Sequence, residues 1–272
     1  MNPAWQIGER STFRWILGAA LLLVCGWSLY RCELWQVGSG TADLSLLSGF
    51  LSPVTEWTFV ADTLIGLADT LAIAVMGTLM AVLFGIPMGI LSSRAVMVAP
   101  RFAHHWRRAS QGWIGLSWLA RGIAILWRSV PEVVWAVILV RIIGLGPTAA
   151  VIAIGIAYAG MIAKVFAEQL ESCDPSPAAA LEAVGAGRLA RLVWCQVPQV
   201  IPGMVDYIMY RCECAIRASA ILGYVGGGGL GFQIEYSYGY GYYGEVTTQV
   251  VILIAFIASF ELLVDYARRK FT

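Results

Sequence analysis

The 24 residues from Thr70 to Ser93 include no charged side chain. About 20 apolar residues in a helix cross the hydrocarbon core of a bilayer. In lipid every backbone N–H and C=O must be satisfied within the structure, which a helix does by itself. The run predicts a spanning helix over 66–92. The same criterion finds candidates over 13–30, 131–147, 148–167, 199–222 and 246–266. Composition agrees: 59% of the 272 residues are hydrophobic and 13% charged, against about 25% charged in soluble domains. The expected class is an all-α membrane protein with about six transmembrane helices.

Arg10 and Arg14 precede the first run, which ends in Trp27, Tyr30, Arg31 and Cys32 with no small-residue cleavage site. It reads as an uncleaved first helix. Gly144-Leu145-Gly146-Pro147 is a tight turn signal, so the third and fourth candidates form a hairpin. Fourteen of the 18 lysines and arginines fall at or before the start of the first helix, between the second and third, around the connection from the fourth to the fifth, or after the last. By the bias of basic residues toward the cytoplasm, both termini are cytoplasmic. The outer side carries Glu33, Asp43, Glu56, Asp62, Glu235 and Glu245. Segment 111–127 holds Trp113, Trp118, Trp127 and Arg121, which suit the headgroup region. It is expected at the cytoplasmic interface, because a seventh span would put one terminus outside. Two parts follow: 1–60, an N-terminal helix and outer segment, and 61–272, a core.

Covalent chemistry has no obvious home here. No GxxxxGK[ST] occurs, and the only lysines are Lys164 and Lys270. The six cysteines have neither zinc-box nor CxxC spacing. His104-His105 sits among arginines and reads as a solvated face, so no metal is expected. Gly226 to Gly231 contains GxGxxG, but a dinucleotide site needs a preceding strand and a βαβ unit, and this string follows a membrane helix. Glu213 alone supplies no paired-carboxylate site, so catalytic residues are not expected. A net charge of +1 gives no field for nucleic acid.

Charges inside membrane helices are costly and usually face a bundle interior or a pathway. Arg211, Glu213 and Arg217 lie within the fifth candidate. Glu213 and Arg217, four apart, can pair, leaving Arg211 for an anion or another helix. Glycines 226–229 form either a gate beside a pathway or a plain linker. The tyrosines 236, 238, 240, 242 and 243 read as an outer interfacial belt.

The connection after the fourth candidate reads Ala179-Ala180-Leu181-Glu182-Ala183-Val184-Gly185-Ala186-Gly187, with Pro198 thirteen residues past Gly185. This resembles the EAA loop of ABC-transporter permeases, except that Ala179 stands where the first Glu would be and Glu182 lies one turn on. With Arg128-Ser129-Val130-Pro131-Glu132, Gly144 to Pro147, Val197 to Pro202, Tyr210 to Glu213 and Arg217 to Gly223, the series resembles permease subunits of phosphonate-family ABC importers. It covers roughly residues 60 to 270. The resemblance implies the type I importer fold and a bacterial inner-membrane location. It implies a homodimer enclosing the pathway, and transport of phosphonate, phosphite or a related oxyanion, with another small solute such as methionine as the alternative. It further implies an external substrate-binding protein and two ATP-binding cassette subunits, which carry the ATP and Mg that this chain does not bind. Coupling would fall to the loop near 168–197, at Ala179, Glu182, Ala183, Gly185, Ala186, Gly187 and Pro198. The pathway would use Arg211, Glu213, Arg217 and Ser219, and the gate Gly226, Gly227, Gly228 and Gly229.

Overall fold

The computed structural model describes residues 5–31, 49–93 and 107–271, and every regular element among them is helical. The chain divides into two compact units, residues 1–47 and 48–272. In the first, helix α1 (Trp5–Arg31) has 27 residues, about 40 Å at 1.5 Å per residue. Its central side chains, among them Leu22, Leu23 and Trp27, are exposed.

The second unit begins before residue 60. Thr247 and Thr248 donate to the carbonyls of Phe50 and Val54 at 2.8 and 2.9 Å, and the Phe50 and Tyr243 rings lie 4.9 Å apart. Residues 49–60, grouped by sequence with the N-terminal part, therefore pack within the core unit.

The core pairs α2 (Trp57–Ser92) with α5 (Pro147–Ser172). They run parallel, because Gly77 faces Ile154, Gly85 faces Ile162 and Gly89 faces Phe166. A Cβ at Gly85 would come within 2.9 Å of Ile162. Small residues at such a seam let two backbones close without a hydrophobic drive from lipid. Ala74, Ala81, Ala153, Ala157 and Ala159, all fully buried, continue the pattern.

Helix α3 (Arg107–Ser129) runs antiparallel to α5. Arg121 pairs with Glu171 near the end of α5, while Ala124 and Arg128 face Gly160 at its middle. α4 (Glu132–Ile143) follows at 89° to α3. One expectation is corrected here, while segment 111–127 packs against the bundle, its Arg121 Nε donating to the Ser92 carbonyl at 2.7 Å. The spanning helix expected over 131–147 is the 12-residue α4, about 18 Å long and too short to cross alone. Pro131 causes the break: it has no N–H to continue α3, and its carbonyl starts α4 by accepting from Val134 N and Trp135 N at 3.0 and 3.3 Å. The Trp135 indole donates to the Trp127 carbonyl at 3.3 Å across the corner.

After α5 come α6 (Pro175–Ala183), α7 (Arg188–Arg191), a π-helical turn over Leu192–Gln196, and α8 (Val197–Leu222). α8 returns antiparallel to α5, with Gly203 near Gln169 and Arg211 near Tyr158. A second π-helical turn, Gly223–Gly227, leads to α9 (Gly229–Gly239) and α10 (Tyr243–Phe271). By length and composition α2, α5 and α10 can each cross a membrane, as can the bent pair α3–α4. α8 is as long as α5 at 26 residues and carries Asp206, Arg211, Glu213 and Arg217.

Candidate functional site

Three places in the core unit hold the residues singled out above. The first is the loop beyond α5. Asp174 caps α6 by accepting from the Ser176 amide at 3.0 Å and hydroxyl at 2.5 Å, which holds its carboxyl below the usual range. α6 closes through Gly185 N to Glu182 O at 3.0 Å and Ala186 N to Leu181 O at 2.9 Å. Gly185 sits at φ +84°, the left-handed helix-ending conformation that glycine adopts without a Cβ penalty. Glu182 does not project outward. Its carboxylate pairs with Arg191 at 2.7 Å, so it braces the loop internally, a contact between α6 and α7 that spacing could not show. The outward surface is apolar: Ala179, Ala183, Gly185 and Gly187 are exposed, as are Val184 at 79%, Leu189 at 73% and Trp194 at 76%. Ala186 is half-buried, and Pro198 is exposed at the second residue of α8, where its missing N–H is tolerated.

The second place is the charged stretch of α8. The expected pair forms between Glu213 and Arg217, and Glu261 on α10 lies 3.7 Å from Arg217. Arg211 stands apart. Its Nε donates to the Tyr207 hydroxyl at 2.8 Å, and its guanidinium carbon lies 5.4, 5.0 and 5.5 Å from the ring centres of Tyr158, Tyr207 and Tyr210. Cations are drawn to aromatic faces at such distances. No carboxylate among the described residues pairs with it. Sequence reasoning missed these tyrosines. Tyr207 was one turn from Arg211 and could have been found, but Tyr158 belongs to another helix. Ser219 lies deeper in the chain. It is 1% exposed, and its hydroxyl donates to the Thr70 carbonyl at 3.0 Å and Ile216 carbonyl at 2.8 Å. It fastens α8 to α2 and lines no open route within this chain.

The third place is the glycine turn. Gly226, Gly228 and Gly229 have φ of +103°, +80° and +70°, and the Gly226 carbonyl accepts from Gly146 N at 3.0 Å. A Cβ on Gly227 would lie 2.7 Å from the Leu222 carbonyl and 2.8 Å from Ala150, and one on Gly229 2.6 Å from the Thr70 hydroxyl. That hydroxyl also accepts from Leu230 N at 2.9 Å. These glycines close against α2 and α5 of the same chain. Cavities flank the turn, one of about 540 Å³ beside Arg141 and Val225 and one of about 390 Å³ beside Asp69 and Gly228. The tyrosines following it are largely exposed and contact one another, Tyr236 and Tyr240 at 4.5 Å between centres. His104 and His105 lie outside the described residues.

Both the sequence and the fold of this helical bundle are similar to those of known proteins. Residues 113–272 match the family described as the binding-protein-dependent transport system inner membrane component. The chain belongs to this family. It is an integral inner-membrane transport subunit, and the permease role that the motif series implied stands. The phosphite transport system permease protein PtxC of Stutzerimonas stutzeri is 29% identical over 256 residues, 94% of this chain and 87% of that one. A putative phosphite transport system permease protein, HtxE, of the same organism is 37% identical over 151 residues, 56% of this chain and 58% of that one. Among solved structures, the inward-facing MetNI methionine ABC transporter matches with a TM-score of 0.64 at 24% identity, over 80% of this chain and 100% of the matched chain. That likeness supports the all-α type I permease fold.

Proposed function

We propose that this permease subunit carries a phosphorus oxyanion, phosphite or a phosphonate, inward across the membrane. Two copies would enclose the route, two ATP-binding cassette subunits holding ATP and Mg would drive it, and an external binding protein would deliver the solute. The assembled complex, not this chain, would be the ATPase. The end of the bundle bearing Glu171 and α6 is cytoplasmic in this reading, in keeping with the basic residues counted there. The exposed apolar knob of Val184, Leu189 and Trp194 is the ATPase docking surface. Glu182–Arg191 keeps the knob stiff enough to transmit a push into α8 past Pro198 and Pro202.

The observation that carries the substrate class is Arg211. A guanidinium at mid-helix in lipid is expensive unless it faces a route or a partner. It has no carboxylate partner among the described residues, and the bond to Tyr207 uses only Nε. The two terminal nitrogens present the fork that binds oxyanions through paired N–H groups. An amino acid would bring an ammonium too, and Glu213, two residues along α8 and so turned to another face, is committed to Arg217. The arrangement favours an anion without a cationic group over methionine.

The test is uptake of labelled phosphite by cells holding the full transporter, with methylphosphonate or methionine as competitor. Methylphosphonate should compete and methionine should not. Arg211→Gln should lower uptake at least tenfold at equal membrane abundance. Competition by methionine alone would overturn the substrate class in favour of the alternative.

A further inference from the structure

A second basic site lies in the cytoplasmic half of the bundle, between α3 and α5. The residues facing each other recur at helical spacing: Arg121, Ala124, Ile125 and Arg128 on α3, Lys164, Ala167, Glu168 and Glu171 on α5. Residues three and four apart share a helix face. With Ser92 they line a half-open cavity of about 180 Å³. Its charges are spread along the helix axes. Toward the end of α5, Arg121 pairs with Glu171 and donates to the Ser92 carbonyl. Nearer the middle, the more exposed Lys164 and Glu168 lie 3.4 Å apart. Beyond them is Arg128, whose backbone N faces Gly160, fourteenth of the 26 residues of α5.

Three cations thus face two carboxylates, and both carboxylates are engaged, by Arg121 and Lys164. Arg128 is the remainder. Its Nε is enclosed and has no hydrogen-bond partner in the structure, and no carboxylate among the described residues pairs with it. Leaving a donor of a charged group buried and unsatisfied costs more than a neutral one. Charged side chains line the cavity from Glu171 to Arg128.

We propose that this cavity binds a tetrahedral phosphorus oxyanion, with Arg128 as its principal ligand and Lys164, paired with Glu168, lining the same cavity. The source is either a free anion from the cytoplasm or the phosphate of an acidic lipid. Only the choice of probe rests on the substrate reading above, since the unmatched charge of Arg128 is independent of Arg211. A free anion here would meet the transporter from the inner side, where it could signal that the solute has accumulated.

The assembled transporter, in nanodiscs of phosphatidylcholine, is titrated with labelled phosphite on the Arg211→Gln background, so that any binding at the proposed substrate position is absent. Arg128→Gln should weaken the remaining binding at least tenfold, and Arg128→Lys, which keeps the charge and controls for folding, should weaken it less. In the second arm, nanodiscs containing phosphatidylglycerol are purified and the retained anionic lipid is counted. Loss of retained phosphatidylglycerol in Arg128→Gln, with no phosphite binding in the first arm, identifies a lipid phosphate. If neither phosphite affinity nor retained lipid differs between wild type, Arg128→Lys and Arg128→Gln, the site is overturned, whatever uptake by Arg211→Gln shows.

Discussion

The two arginines of α8 sit six residues apart yet have opposite fates. Arg217 is half-exposed and shared between Glu213 and Glu261 at its rim, while Arg211 meets only phenol rings and one hydroxyl. The pair therefore belongs to stability. Glu213 is largely covered, its side chain 12% exposed against 48% for Arg217. Removing one partner of a fully buried pair costs about 3–5 kcal/mol, and an exposed pair about 0–1 kcal/mol. Glu213→Gln should fall between, at roughly 1–3 kcal/mol, read as a lowered Tm in detergent. A cycle with Arg217→Gln should return a coupling energy above about 0.5 kcal/mol. Additive losses would assign the short contact no energetic role. Arg211→Gln, by contrast, should change Tm little and transport greatly.

Helices and the turns between them divide the work further. At the glycine turn, two neighbouring positions have different reasons to be glycine. Gly227 has ordinary helical backbone, but a Cβ there meets Leu222 and Ala150. Gly228 has space, with Pro147 at 3.6 Å, but sits at φ +80°. Gly227→Ala should therefore act by collision and Gly228→Ala, at φ +80° and ψ −170°, by backbone strain of about 1–3 kcal/mol. The Gly227 variant should lose more membrane abundance, because neither the Leu222 carbonyl nor Ala150 can swing away. Equal abundance and equal uptake in both would make the turn a tolerant linker. In the loop beyond α5, Gly185→Asp combines the strain of φ +84° with a charge on an apolar knob. It should leave insertion intact and cut uptake relative to ATP hydrolysis several-fold, measured together in proteoliposomes. The long helices were legible because runs such as 66–92 have no other stable form in lipid. The Glu213–Arg217 pair was legible because four residues make one helical turn. The bent helix pair through 107–143 was not, since nothing in the spacing shows Arg121 reaching Glu171, fifty residues on. For the same reason spacing could not reveal the brace between Glu182 and Arg191, nor that the glycines close on Thr70 and Ala150.

At the scale of the molecule, the chain presents surfaces that one copy leaves uncovered. The outer stripe of α2, with Ile65, Met76, Leu79 and Leu83, is exposed, as are Val251, Ile254 and Leu262 of α10. In a bilayer these need only lipid. The knob of Val184, Leu189 and Trp194 is different, because it lies between the ends of α5 and α8, in the loop proposed to face the cytoplasm. Exposed apolar side chains clustered in water mark an interaction surface, and bulky anchors such as Trp carry much of the energy of a contact. Leu189→Glu and Trp194→Ala should therefore release the ATPase subunits from the purified complex, weakening association at least tenfold, while the permease still inserts and keeps its Tm. Neither side chain packs within the chain, which separates loss of docking from loss of folding. The same reasoning fixes what the chain does without its partners: purified alone, it should hydrolyse no ATP, and adding back the ATPase subunits should restore hydrolysis to the wild type but not to Leu189→Glu. Co-purification of ATPase subunits at wild-type stoichiometry with both variants would move the docking surface off this knob and take the proposed coupling route through Pro198 with it.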